Sequence, residues 1–202
     1  VGALTQTDVL LTPEVLLSFP NLFRPKPAKP GKEPKYGCAL IFNKAAQESP
    51  QFKAMVEAAN AALAERGWQK GSDKRPANLK TPFNPCNKND YHKIHGEDSV
   101  FINVTSTSRP GIVDQNVQPI IDESRIYPGC FVRAEVRAFT YDNESKGVSF
   151  GLNNIQFVRD GDPLGNRKRA EDVFGAVGGG AEGETGGGSA EASASASADS
   201  LL

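Results

Sequence analysis

The sequence predicts a mainly β protein, a small closed barrel of short strands with one packed helix. Three observations point there. Between Cys130 and Tyr141 the side chains alternate: Cys130, Val132, Ala134, Val136 and Ala138 are small and apolar, with Phe131, Arg133, Glu135, Arg137, Phe139 and Tyr141 between them. A strand sends alternate residues to opposite faces, so one face of this segment belongs to a core. A second strand follows a turn at 142–147, and its apolar parity switches at Asn153–Asn154, from Val148, Phe150 and Leu152 to Ile155 and Phe157. That switch marks a β-bulge, and a long, curled hairpin suits a closed barrel better than a flat sheet. Helical spacing, by contrast, is confined to one stretch, residues 49–67.

Residues 9–19 are apolar and β-prone, with Pro13 marking a break or an edge position. The Pro- and Lys-rich segment that follows reads as a loop that cannot hold regular structure. Its lysines 26, 29, 32 and 35 either line a phosphate path or simply face solvent. Residues 36–42 form the next strand. The helix opens with Ser49 as N-cap and Pro50 at the first helical position, and Gly67 ends it. Phe52, Met55, Val56, Ala59 and Leu63 recur at helical spacing, a stripe for packing on the sheet.

Trp68 leads into a basic loop with Lys70, Lys74, Arg75 and Lys80, a second candidate for backbone contact or else a long surface loop. Residues 81–96 are polar and irregular. Residues 99–107 are strand-like, with Val100, Ile102 and Val104 facing one way, and Arg109-Pro-Gly turns into a short strand ending near Asp114, with 118–122 extending the edge. Ile126-Tyr-Pro-Gly is a tight turn into the central hairpin, and Gly147, able to take positive φ, belongs to the hairpin's own turn. From Gly175 the composition collapses to Gly, Ala, Ser and Glu. The expected organisation is therefore a domain over 1–174 and a disordered, mildly acidic tail over 175–202.

The net charge of −1 hides a division. The tail holds four acids and no Lys or Arg, which leaves 20 acids against 23 basic residues in the rest, or +3. Such a charge permits nucleic-acid binding through a local patch without requiring it. No apolar run is long enough for a transmembrane helix, and no basic-then-apolar leader opens the sequence. Three cysteines, Cys38, Cys86 and Cys130, are odd in number and widely spaced, which argues against a disulfide framework and fits a reducing cytosol.

The outer face of the central strand carries three rings and two arginines, the groups that single-stranded nucleic acid takes: rings for bases, guanidinium groups for phosphates. The same composition also suits a face buried under a second layer or a protein interface. A metal site is the sharpest competitor, since Cys86, His92 and His95 fall close together with Asp90 between them; their spacing matches no strong zinc pattern. Asp98, Asp114, Asp122 and Glu123 could gather a metal for strand cleavage, though nothing in their spacing singles them out. No phosphate-binding glycine loop, nucleophile elbow or zinc-protease motif is present, so neither catalytic residues nor a cofactor are expected.

Several stretches resemble a phage-encoded single-stranded-DNA-binding protein family, formerly catalogued as a domain of unknown function. They are Phe19-Pro-Asn-Leu-Phe-Arg-Pro-Lys, Lys35-Tyr-Gly-Cys-Ala-Leu-Ile-Phe, Arg109-Pro-Gly-Ile-Val-Asp and Tyr127-Pro-Gly-Cys. The longest begins Phe139-Thr-Tyr-Asp-Asn, continues Lys146-Gly-Val-Ser-Phe-Gly-Leu-Asn-Asn-Ile-Gln-Phe, and runs on to Arg159-Asp-Gly-Asp-Pro-Leu. The resemblance implies a five-stranded OB-fold barrel. It further implies a non-catalytic protein that coats single-stranded DNA during phage replication or recombination in the host cytoplasm. Phe131, Phe139 and Tyr141, with Tyr36 or Phe150, are then the expected base-stacking residues. Arg109, Arg133, Arg137, Lys146 and Lys35 are the expected phosphate contacts. Expected partners are single-stranded DNA, phage replication or recombination proteins, and further copies of the chain as a dimer or cooperative array, with no membrane. Such proteins commonly end in a strongly acidic tail with a terminal aromatic, whereas this sequence ends Ala198-Asp-Ser-Leu-Leu, so recruitment through the tip is not implied. Two other readings stay open: a phage structural or protein-interaction module using the same aromatic face, and a metal-dependent nucleic-acid enzyme. RNA binding is also compatible with a stacking platform.

Overall fold

A computed structural model of the chain describes residues 8–27, 30–86 and 98–164, all within the compact unit Val1–Arg167. Asp90, His92, His95, Lys29 and the tail 175–202 lie outside the described residues. The elements in chain order are β1 (Val9–Leu11), β2 (Val15–Pro27), β3 (Pro34–Phe42), α1 (Lys44–Glu48), α2 (Pro50–Glu65), β4 (Asn84–Pro85), β5 (Val100–Ser106), β6 (Gly111–Val113), β7 (Phe131–Asp142) and β8 (Lys146–Arg159).

Five of the strands close a ring. β2 pairs with β3, β3 with β5, β5 with β8, β8 with β7, and β7 returns to β2. Only the β5–β8 pair of this ring is parallel. The remaining short strands extend the ring: β1 continues along β7, β6 runs parallel to β8, and β4 pairs with β5. This is the mainly β, OB-type barrel that the sequence and its resemblance led us to expect.

The central hairpin carries the core. Val132, Ala134, Val136 and Ala138 of β7 are buried, as are Val148, Phe150 and Leu152 of β8. Glu135 pairs with Asn154 but Val136 pairs with Leu152, so Asn153 is the extra residue of a bulge. Beyond it Ile155 and Phe157 take over the buried side, as the parity switch predicts. The alternate residues of β7 face outward, Arg133 and Arg137 exposed and Phe139 and Tyr141 half-buried.

The helix forms as its caps dictate. The Ser49 hydroxyl accepts the Phe52 N–H at 3.1 Å, Pro50 stands at the first helical position and Gly67 takes φ +71°. Its buried stripe is Met55, Ala58, Ala59, Ala62 and Leu63, with Val56 only half-buried. This mostly alanine face packs on β7, β8 and β1. A chain of rings, Phe42–Phe52–Phe83–Phe150, ties helix, loop and barrel together at centroid spacings of 5.0, 5.3 and 5.8 Å. A short helix that the sequence pattern did not predict, α1, precedes it, capped by Asn43 accepting the Ala46 N–H at 2.8 Å.

Two expectations are corrected. The Pro- and Lys-rich segment is not a loop. β2 runs through it to Pro27, with Lys26 opposite Lys35 and Pro27 opposite Pro34. The register slips after Ser18 and after Asn21, and Pro20 and Pro25 lie within those slips, where no ladder hydrogen bond is asked of them. Gly147 is a strand residue opposite Tyr141 and is not among the positive-φ glycines. Close approach explains the glycine: a methyl there would stand 2.5 Å from the Lys80 carbonyl oxygen. The tight turn before β7 is as expected, with Gly129 at φ +112°. All three cysteines are free and buried. Burial pushes the Cys38 thiol far above its ordinary range and Cys130 up to about 11, so both behave as small apolar residues. Among the described residues no helix is long and apolar enough to cross a membrane.

Candidate nucleic-acid interface

Strand pairing decides what stands on the outside of the barrel. It puts Gly37 beside Thr105 and Ala39 beside Asn103. Thr105 lies beside Gly151 across the parallel pair. Gly151, Ser149 and Gly147 then stand beside Arg137, Phe139 and Tyr141. A band of glycine, alanine and short polar side chains thus crosses β3, β5 and β8 and ends on the larger residues of β7.

Two open clefts lie on this band. The first, about 350 Å³, is lined by Tyr141, Ser149, Lys80, Pro82, Asn84 and Asn103 among others. The second, about 440 Å³, is lined by Phe19, Lys26, Lys35 and Tyr36, with Gly37, Ala39, Asn103 and Thr105 as its floor. Asn103 lines both clefts. Among the described residues no carboxylate lines either one.

Backbone bonds hold the first cleft open. The Lys80 N–H donates to the Lys146 carbonyl at 2.9 Å, and the Lys80 carbonyl accepts the Val148 N–H at 3.0 Å. Lys80 is therefore bridged to Gly147 at the start of β8, and Lys80, Thr81 and Pro82 line the cleft together with Tyr141. Phe139 and Tyr141 lie with ring centroids 6.5 Å apart and planes tilted by 55°. Gly151 leaves the flank of Phe139 clear, since a Cβ there would come within 3.9 Å of the ring.

The charges around the barrel divide into paired and unpaired. Arg24 bonds Glu123 at 3.3 Å, Lys32 Glu144 at 2.6 Å, Lys146 Asp142 at 3.3 Å and Arg159 Glu14 at 2.7 Å. Lys26, Lys35 and Lys80, which line the clefts, have no carboxylate partner among the described residues, and neither do Arg133 and Arg137. Cations left unpaired beside a carboxylate-free cleft are a site for an anion.

The ten side chains expected from the sequence do not form one group. Lys35, Tyr36 and Tyr141 line the clefts, and Phe139 and Arg137 stand beside Tyr141 on the same outer face. Phe131 lies ten residues before Tyr141, at most about 33 Å along an extended strand. The Arg159 guanidinium stacks on its ring at 3.5 Å. Arg133 is exposed on that distant half of β7, opposite Gln156. Lys146 is held by Asp142 and lies 5.9 Å from the Trp68 ring. Arg109 stands over Phe23 at 5.4 Å and lines neither cleft. Phe150 is a correction: it is 0 % exposed, on the inward parity of β8 and edge-on to Phe83, where no base can reach it.

Sequence reasoning passed over Phe19, Asn103, Thr105 and Ser149, and took Lys80 only as one cation of a loop. Asn103 and Thr105 had a readable signal, since they interrupt the Val100, Ile102, Val104 alternation on the outward side. Among the described residues no group of three or more His, Cys, Asp or Glu side chains is placed to hold a metal ion. Asp114 instead accepts the Asn116 and Gln118 N–H groups at 2.8 and 2.9 Å. Asp122 accepts the Ser124 N–H at 2.9 Å, and hydrogen bonding to Ser124 holds its carboxyl below the usual carboxylate range.

The architecture and the face together define an OB-type barrel with open, lysine-lined clefts across its strands. The chain belongs to the family described as "Enterobacter phage Enc34, ssDNA-binding protein", whose model matches residues 7–185. Protein p50 of Acyrthosiphon pisum secondary endosymbiont phage 1 is 29% identical over 159 residues, covering 73% of this chain and 82% of p50. Among solved structures, the single-stranded DNA-binding protein of bacteriophage Enc34, in complex with ssDNA, superposes with a TM-score of 0.65 at 19% identity. That match covers 78% of this chain and 89% of the Enc34 chain. The gp2.5 single-stranded DNA binding protein of bacteriophage T7 gives a TM-score of 0.55 at 12% identity, covering 82% and 99%. At these identities the solved structures bear on the fold.

Proposed function

We propose that this protein binds single-stranded DNA with little sequence preference and without catalysis, in phage DNA replication or recombination. The observation that carries the reading is the pair of clefts on the strand face, lined by aromatic rings and lysines; among the described residues those lysines have no carboxylate partner and no carboxylate lines either cleft. Membership of a phage single-stranded-DNA-binding family supports it.

The chemistry follows from the parts. Every base has an apolar π-face, so stacking on Phe139 and Tyr141 is indifferent to sequence and contributes about 1–3 kcal/mol per base. Lys26, Lys35, Lys80 and Arg137 neutralise phosphates, and each contact adds about −0.7 to the slope of log affinity against log salt. The small residues of the floor let an extended strand lie close to the sheet. A duplex keeps its base faces stacked on each other, so it can use the cations but not the rings.

A fluorescent oligo-dT, titrated across a salt series beside matched duplex DNA and RNA, tests this. Phe139→Ala and Tyr141→Ala are each expected to weaken dT binding about tenfold, toward the lower end of the stacking range, while leaving the unfolding midpoint near the parent's. Absence of dT binding at low salt would end the reading and leave the aromatic face as a protein interface.

A further inference from the structure

Phe19 stands where its strand's own alternation would not put it. Val15 and Leu17 of β2 point into the core, and the next step would bury residue 19 as well. Between Ser18↔Ala39 and Asn21↔Gly37 the register slips, so two residues of β2 oppose one of β3. The slip throws Phe19 outward to 59% exposure and holds it at φ +46°, a conformation that suits glycine, while Leu22 resumes the core. The fold thus gives up the burial of a phenyl ring and holds it in a strained backbone. What the ring gains is a place on the wall of the second cleft, with Tyr36, Lys26 and Lys35.

We infer that this cleft is a nucleotide subsite in line with the first, in which Phe19 stacks a base and Lys26 and Lys35 hold the adjoining phosphates. The inference rests on the single-stranded-DNA reading and extends it along the barrel. Asn103, which lines both clefts and has no side-chain partner among the described residues, marks where the strand passes between them. The bound strand then crosses β8, β5 and β3, from Tyr141 to Phe19.

Phe19→Gly separates function from structure, because glycine removes the ring and also relieves the φ. In the intact chain it is expected to unfold at the parent's temperature or above and to bind oligo-dT about tenfold more weakly. A Lys26→Gln/Lys35→Gln double variant is expected to fold normally and to lower the salt slope by about 1.4, two phosphate contacts' worth. Parent affinity and salt slope in these variants, while Phe139→Ala weakens binding, would overturn the second subsite and leave the proposed function standing. A fall in the unfolding temperature of Phe19→Gly would assign the ring to structure and likewise overturn it. Failure of the parent chain to bind dT would remove both readings.

Discussion

Phe139 and Phe150 sit on neighbouring strands one register step apart, since Phe139 faces Ser149 and Ala138 faces Phe150. Yet one is half-buried on the outer face and the other has no exposed surface. The consequences of truncation should differ accordingly. Phe150→Ala empties the centre of the barrel and removes the last ring of the Phe42–Phe52–Phe83–Phe150 chain; it is expected to cost about 3–5 kcal/mol in urea unfolding. DNA affinity, measured where the variant is still folded, should stay near the parent's. A stable Phe150→Ala variant with lost affinity would place that ring at the ligand instead. The outward facing of Phe139 and Tyr141 was legible in the sequence because β7 alternates without a break from Val132 to Tyr141. Phe19 was not legible, because the bulge that reverses its facing has no local signature beyond Pro20. A parity argument is only as good as the register beneath it.

The first cleft depends on an element that barely registers as one, the bridge between Lys80 and the start of β8. Sequence reading found the β7–β8 turn but explained Gly147 by turn conformation, when its reason is the carbonyl of a residue far away in sequence. Gly147→Ala puts a methyl 2.5 Å from that carbonyl and 2.6 Å from the Tyr141 hydroxyl, both walls of the cleft. It is expected to destabilise by about 1–3 kcal/mol, as overpacking does, and to weaken dT binding by displacing Lys80 from Tyr141. Faster amide exchange at Val148, whose N–H donates to the Lys80 carbonyl, would accompany it. Unchanged stability and exchange would mean the bridge is not what holds the wall. The early hairpin shows the same limit. Prolines in β2 read as a loop because proline removes a donor, but a slipped two-stranded arm asks little of those donors. Helix α2 was the easiest element to read, since its cap, its first-turn proline and its terminal glycine are all local.

Across the whole molecule the charge argument holds only when it is made locally. A net charge of −1 says little about a polyanion partner, and among the described residues four of the basic side chains are already paired. What matters is that, among the described residues, no carboxylate lines either cleft and the cleft lysines Lys26, Lys35 and Lys80 have no carboxylate partner. Composition could not reveal this, since the clefts draw on β2, β3, β5, β7, β8 and residues 80–84. Closure of the ring is equally non-local, since the parallel β5–β8 pair joins strands separated by β6 and β7; the bulged hairpin pointed to a closed barrel, and the family resemblance supplied its five-stranded OB form. The most direct test of the central claim is ultraviolet cross-linking of the intact protein to oligo-dT, with the joined peptides identified by mass spectrometry. Cross-links confined to peptides carrying Tyr141, Phe139, Tyr36 and Phe19 are the predicted result. Cross-links on α2 or around Phe131, with none on the clefts, would contradict it.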